Sequence, residues 1–305
     1  MPEHRSGFVS IIGRPNAGKS TLLNALTGAK LAIVSTKPQT TRTSIQGVVN
    51  EPGAQIVFID TPGIHKSDTL FNKRMMETVR AAANERDLIL FVADASTPIT
   101  AADRQAVDLA RSIQAPTFLL LNKIDRVADK RELLPLIESY KALHEFAEYF
   151  PISAEKKAGL DALRRAIVVR LPEGPEYFPP EYITDQPERF LVAEIVREKI
   201  LATTREEVPH AIAVLVDKWE DGPKLLRIAA TIYVERPGQK AIVIGAKAAA
   251  LKSIGTAARK EIEAQFGKKV FLELFVKVRA NWREDPAFLN AIDWRAMTGD
   301  SSIGE

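Results

Sequence analysis

Phe8-Val9-Ser10-Ile11-Ile12-Gly13-Arg14-Pro15-Asn16-Ala17-Gly18-Lys19-Ser20-Thr21 decides the fold of the first half of the chain. Its first five residues form a mostly apolar run of strand length, and a helical pattern follows over 19–28. Between them, from Gly13 to Ser20, stands G-x-x-x-x-G-K-S/T in the strand–loop–helix setting that the motif requires. Consecutive backbone N–H groups of such a loop, with the helix N-terminus behind it, bind phosphate oxygens. The stretch predicts a phosphate loop of Gly13, Arg14, Pro15, Asn16, Ala17, Gly18, Lys19, Ser20 and Thr21. Lys19 would set a cation on the β- and γ-phosphates, and the Ser20 hydroxyl would ligate Mg2+.

Outward from this loop the same alternation repeats. Residues 55–59, 88–92 and 117–121 are near-continuous apolar runs, as in parallel strands covered on both faces. Helical patterns near 70–84, 101–113 and 130–146 separate or follow them. Strands alternating with helices predict a doubly wound α/β sheet whose ligand lies at the C-terminal strand ends. Two of those ends carry further signals. Asp60-Thr61-Pro62-Gly63 closes one apolar run; Asp60 would hold magnesium through a water, and the Gly63 N–H would sense the γ-phosphate. Asn122-Lys123-Ile124-Asp125 closes another, and Asp125 can accept from guanine N1–H and its 2-amino group together. Adenine has neither donor there, so a carboxylate discriminates against it. Ser153 and Ala154, just past the last strand, would hold the base through backbone contacts. The reading is a GTP-hydrolysing enzyme with GTP/GDP and Mg2+ as its nucleotide and metal.

The second half is organised differently. Pro172, Pro175, Pro179, Pro180 and Pro187 break the pattern, which predicts a first domain over 1–171 and a Pro-rich linker over 172–188. A smaller α+β domain over 189–290 then runs helix, strand, strand, turn, helix, strand, with Gly267 as a helix stop. Residues 291–305 read as a flexible tail. From Lys240 to Arg279 nine basic residues face three acidic ones, a net of +6. Such a patch suits a nucleic-acid backbone. Phe271, Phe275 and Trp282, near a strand's end, are expected in the core.

Composition sets the outer limits. A length of 305 residues fits about two domains. No apolar run reaches the roughly 18 residues of a membrane span, and residues 1–6 contain no signal-peptide core. The absence of cysteine excludes disulfides and thiolate metal sites and suits the cytoplasm. The four histidines are scattered without metal-ligand spacing. The net charge of +3 argues for no partner by itself.

The order and spacing of these elements resemble Ras-like GTPases. The Pro15-Asn16 pair, Gln39-Thr40-Thr41-Arg42 and Asp60-Thr61-Pro62-Gly63 narrow the resemblance to translation-factor-related bacterial GTPases. With the second domain, residues 7 to about 289 resemble the Era family of ribosome-assembly GTPases. The resemblance implies a Ras-like domain followed by a type II KH domain. It implies that Thr41, with Thr40 as the alternative, completes the magnesium shell in a switch, so that Lys19, Thr41 and Gly63 form the catalytic set. Where Ras-like enzymes place a water-orienting glutamine this chain has Ile64. Related GTPases use an asparagine at the Asn16 position to hold K+. The KH turn would be Gly245-Ala246-Lys247-Ala248 with Lys252 beyond it, although the second glycine of G-x-x-G is here Ala248. Implied partners are the 3′ region of 16S rRNA and the 30S subunit. A monomer in the cytoplasm, in peripheral association with the inner membrane face, is also implied. The rival reading is a nucleotide-dependent protein-interaction switch whose KH-like domain binds RNA weakly or not at all.

Overall fold

The computed structural model describes residues 4–37, 40–63, 69–83, 86–204 and 208–294. They divide into two compact units, Met1–Asp68 with Asn72–Asp185 and Thr69–Phe71 with Gln186–Glu305.

The first unit follows the sequence alternation: β1 (Arg5–Ile12), α1 (Lys19–Thr27), β2 (Ile45–Glu51), β3 (Ala54–Asp60), α2 (Leu70–Ala83), β4 (Leu88–Asp94), α3 (Ala101–Ser112), β5 (Thr117–Asn122), α4 (Leu133–Lys141), β6 (Glu148–Pro151) and α5 (Leu160–Arg170). The six strands lie in the order β2-β3-β1-β4-β5-β6. All neighbours pair in parallel except β2 with β3. This is the Ras-like doubly wound sheet. β3, β4 and β5 are buried along their whole length because helices cover both faces. Ile56, Phe58, Leu90 and Leu120 meet α1 and α5 on one face. Ile89, Phe91, Leu119 and Leu121 meet α3 and α4 on the other. β2 lacks an apolar run because it is an edge strand, mixing buried and part-exposed residues around Gly47 and Asn50. α4 is shorter than its sequence pattern, since a 3-10 turn at Lys130–Glu132 precedes it and Ala142 caps it.

The proline-rich segment after α5 packs onto this unit. The buried Gln55 accepts from the Tyr177 and Phe178 N–H groups at 2.7 and 3.0 Å and donates to the Phe178 carbonyl at 2.8 Å. Val48 N–H donates to the Ile183 carbonyl, and Thr184 Oγ1 to the Gln46 carbonyl. Proline supplies no N–H of its own, so these partners anchor an otherwise irregular stretch.

The second unit comprises α6 (Glu188–Thr203), β7 (Ala213–Asp221), β8 (Leu225–Val234), α7 (Pro237–Ile244), α8 (Ala249–Phe266), β9 (Lys269–Val278) and α9 (Pro286–Ile292). Its sheet runs β7-β8-β9, antiparallel then parallel. One face packs on α6 and α8 through Val196, Ile200, Ile228, Ile254, Ala258 and Ile262. This is the KH arrangement. Gly267 ends α8 at φ 65°, as its position suggests. Two helices of this unit are absent from the sequence reading, as α5 is in the first unit. α7 contains the β-branched run Ile242-Val243-Ile244, which by itself favours a strand. Pro237 in its first turn and a cap from Gln239 overrule that preference: Gln239 Oε1 accepts from the Glu235 and Arg236 N–H groups at 2.9 and 3.0 Å. α9 carries order past the expected start of the tail at 291, and Trp294 is buried; residues 295–305 lie outside the described residues.

Candidate functional site

The parallel register brings the ends of β1, β3, β4 and β5 to one edge, where the loops they lead into converge. The phosphate loop fits there because two of its residues have no side chain. A Cβ on Gly13 would lie 2.3 Å from the Val92 carbonyl oxygen, and one on Gly18 would lie 2.2 Å from Asn122 Nδ2. Gly18, at φ 100°, also supplies the left-handed turn that starts α1. No side chain caps α1 among the described residues, so its first N–H groups face the loop. Lys19 is buried, and its Nζ donates to the Gly13 and Arg14 carbonyls at 3.0 and 3.1 Å. Burial pushes its pKa down to about 8, against the pull of Asp60. Asn16 stands at φ 63° and donates from Nδ2 to the Thr36 carbonyl at 2.8 Å, tying the loop to the segment before Thr41. Pro15 lies against Gly63, where a Cβ would meet its ring at 2.8 Å. Ala17 is fully buried, and Thr21 lies in the first turn of α1.

Three hard oxygen donors meet beside this loop. Ser20 Oγ donates to Asp60 Oδ2 at 2.7 Å and lies 2.7 Å from Thr41 Oγ1, which donates to the same carboxylate oxygen at 3.3 Å. Asp60 is buried; its other oxygen, Oδ1, has no hydrogen-bond partner among the described residues, and burial raises its pKa. A buried carboxylate with one oxygen unpartnered among the described residues and two hydroxyls on the other fits Mg2+, which takes six oxygen ligands and usually keeps several of them as water. Thr41 is thus brought to the cluster, whereas Thr40 donates to the Lys37 carbonyl instead. Thr61 Oγ1 donates to the Ile11 carbonyl and, with Pro62, is buried behind Gly63. Ile64 and Gln39 lie outside the described residues.

The base motif is braced by Asn122. Its Nδ2 donates to the Ala17 carbonyl at 2.9 Å and its Oδ1 accepts from the Ala154 N–H at 3.0 Å, so one carboxamide joins three loops. Lys123 Nζ donates to the Asn16 carbonyl and to Asp94 Oδ2, both at 2.6 Å. Ile124 is fixed by its N–H to the Ile152 carbonyl at 3.2 Å. Asp125 is exposed; its Oδ1 accepts from Ser153 Oγ at 2.5 Å, and that bond lowers its pKa, so it stays an anion. Ser153 therefore orients the carboxylate through its side chain, beyond the backbone contact expected of it. Asp94, which carries no motif, enters the site only through strand register: it pairs with Asn122 across β4 and β5.

In the second unit, Gly245-Ala246-Lys247-Ala248 forms the turn between α7 and α8. A Cβ on Gly245 would lie 2.7 Å from that of Ala250. Lys247 and Ala248 adopt φ 48° and 58°, so the turn keeps a left-handed backbone without its second glycine. Ala248 thereby starts α8 with no side-chain cap among the described residues. Ala246, Lys247, Ala248 and Lys252 are exposed. The aromatic expectation divides. Trp282 is core, donating to the Ala211 carbonyl at 3.0 Å. Phe271 and Phe275, 47% and 50% exposed, sit on the solvent face of β9, because strand alternation gives the core face to Val270, Leu272, Leu274 and Val276.

Comparison with known proteins agrees with both halves. Residues 8–123 match the family described as 50S ribosome-binding GTPase, and residues 207–283 match the KH domain family. The chain is 52% identical to GTPase Era of Geobacter metallireducens, over 95% of this chain and 98% of that protein. It is 48% identical to GTPase Era of Syntrophus aciditrophicus, over 93% and 94%. Among solved structures it resembles a variant of Aquifex aeolicus Era bound to GDP·AlF4−, at 42% identity and a TM-score of 0.91, covering 95% of this chain and 99% of that one. It also resembles Era in complex with MgGDPNP and nucleotides 1506–1542 of 16S ribosomal RNA, at 42% identity and a TM-score of 0.92, with the same coverage.

The Lys19 pKa predicts a pH dependence. An unfolded lysine keeps its proton up to about 10.5, whereas the buried one loses it near 8. Between those values the unfolded chain binds more protons, so the Lys19 contribution to stability rises with pH, by about 1.4 kcal/mol per unit. Urea unfolding of the wild type and Lys19→Met from pH 7 to 10 should show a difference that is flat below pH 8 and then moves in favour of the wild type. A difference flat over the whole range contradicts the assignment.

Proposed function

We propose a function from the premise that this chain belongs to the Era family of GTPases: it hydrolyses GTP to GDP and phosphate, and it uses the nucleotide state to govern binding of small-subunit ribosomal RNA. Lys19 and the N–H groups of the loop from Gly13 to Thr21 hold the β- and γ-phosphates. Ser20 and Thr41 would ligate Mg2+ directly and Asp60 through a water; bound there, the ion neutralises charge developing on the phosphates. The Gly63 N–H would face the γ-phosphate, with Thr61 and Pro62 shaping that loop. Thr41 and Gly63 together make the segment a switch, because both of their contacts vanish with the γ-phosphate. Asn122, Lys123, Ile124 and Asp125, with Ser153 and Ala154, receive guanine.

No glutamine follows Gly63, so hydrolysis rests on positioning and charge rather than on a side-chain base. Slow turnover follows, and a second cation would raise it. Asn16 is exposed beside the phosphate loop, where its Nδ2 donates to the Thr36 carbonyl. By the family resemblance its Oδ1 would ligate K+.

The RNA reading is carried by the turn between α7 and α8. Its left-handed backbone at Lys247 and Ala248 aims the uncapped N-terminus of α8 outward, with Lys247 and Lys252 beside it. A nucleic-acid backbone needs that combination of N–H groups and cations. The Era relative solved with nucleotides 1506–1542 of 16S rRNA supports the 3′ region as the target. By the same family argument, the protein acts as a monomer on the 30S subunit in the cytoplasm and makes peripheral contact with the inner membrane face. Among the described residues no single helix is long and apolar enough to cross a bilayer.

Two outcomes test these readings. GTP turnover should be at least about fivefold faster in K+ than in Na+, and Asn16→Ala should erase the difference; equal rates reject the K+ role. In filter binding with an RNA of the 16S 3′ sequence, the full chain should bind in a salt-dependent manner. Ala248→Gly should bind several-fold tighter and gain about 1 kcal/mol of stability, because glycine removes the left-handed strain. No binding by either protein at low salt would favour the protein-interaction switch.

A further inference from the structure

Asp94 ends β4, and the parallel register sets it beside Asn122 at the end of β5. It is 7% exposed, yet four donors converge on it. Lys123 Nζ reaches Oδ2 at 2.6 Å, and an Arg14 guanidinium nitrogen reaches the same oxygen at 3.3 Å. Ser96 fixes Oδ1, from its hydroxyl at 2.6 Å and its N–H at 3.1 Å. The two cations belong to different loops. Arg14 lies in the phosphate loop; its Nε is 3.2 Å from Asp103 Oδ1, and the nitrogen that faces Asp94 also donates to Thr97 Oγ1 at 2.8 Å. Lys123 lies in the base loop, and its remaining contact is the Asn16 carbonyl of the phosphate loop.

We propose that Asp94 is a positioning residue for nucleotide binding: its carboxylate holds Lys123 across the phosphate loop and so fixes the spacing between the phosphate and guanine loops. Two part-buried cations sharing one oxygen require a full negative charge; a neutral amide offers one acceptor and no charge to balance them. Arg14 keeps Asp103 when Asp94 is neutralised, whereas the Lys123 Nζ keeps, among the described residues, only the Asn16 carbonyl. The effect of Asp94 on the nucleotide therefore runs through Lys123. The proposal rests on the reading of these loops as a nucleotide site.

A double-mutant cycle on the full chain tests it, with a fluorescent GDP analogue and Mg2+ as the probe and thermal unfolding without nucleotide measured in parallel. Asp94→Asn should weaken GDP binding about tenfold, the scale of one lost charge-assisted hydrogen bond. Lys123→Met should weaken it at least as much. In the Lys123→Met background, Asp94→Asn should cost less than about twofold more, because its target has gone. A purely structural Asp94 would instead lower the unfolding midpoint and carry its full affinity loss into that background; this result overturns the proposal, as does a loss below about twofold in the single variant. Should Asp94→Asn not fold, Ser96→Ala loosens the same carboxylate while keeping its charge. It should weaken GDP binding about threefold in the otherwise wild-type chain and not at all in the Lys123→Met background; equal effects in both overturn the proposal. Wild-type protein that takes up no GDP would contradict the nucleotide-site reading itself, separately from the behaviour of the variants.

Discussion

The site depends on the buried carboxamide of Asn122, which occupies the space where Gly18 lacks a side chain. Its amide grips the phosphate loop at the Ala17 carbonyl, and its oxygen grips the loop after β6 at the Ala154 N–H. Both contacts are buried, where an unmade hydrogen bond costs about 1–3 kcal/mol. Three loops from different strands are thus held as one frame. Preorganisation of this kind is what lets backbone N–H groups act on charge that develops during hydrolysis. Gly13 and Gly18 are required for the same reason: a methyl group at either would collide with the frame at 2.2–2.3 Å.

The two units use one device twice. Each presents a helix N-terminus that follows a left-handed residue and has no side-chain cap among the described residues: Gly18 before α1, Ala248 before α8. Side-chain caps would consume N–H groups that an anion can use instead. In the first unit glycine adopts the turn freely. In the second unit alanine adopts it at a cost of about 1 kcal/mol, strain that the surrounding packing holds in place.

Much of this was legible in the sequence for physical reasons. β1, β3, β4 and β5 announce themselves because burial on both faces demands continuous apolar runs. The phosphate and guanine motifs are legible because their chemistry tolerates few residue types at fixed spacing. β2 is hidden because an edge strand needs no such run. α7 is hidden because its β-branched residues argue for a strand, and only Pro237 and the cap from Gln239 decide otherwise. Phe271 and Phe275 are misplaced by composition, since alternation along β9, not aromatic character, chooses the face. Asp94 could not be found from any motif, because its place follows from the register of β4 against β5. The way Ser153 orients Asp125 likewise depends on two loops meeting in space.

The central claim is that this frame offers an exposed, oriented carboxylate, Asp125, to guanine. The most direct measurement compares GTP and XTP affinities of the wild type and Asp125→Asn in the presence of Mg2+. Xanthine replaces the 2-amino donor of guanine by a carbonyl acceptor, which an asparagine amide can satisfy and a carboxylate cannot. The wild type should prefer GTP strongly, and the variant should reverse the order, each by about a hundredfold or more. A wild type indifferent to the base, or a variant that keeps its preference for GTP, would contradict the account.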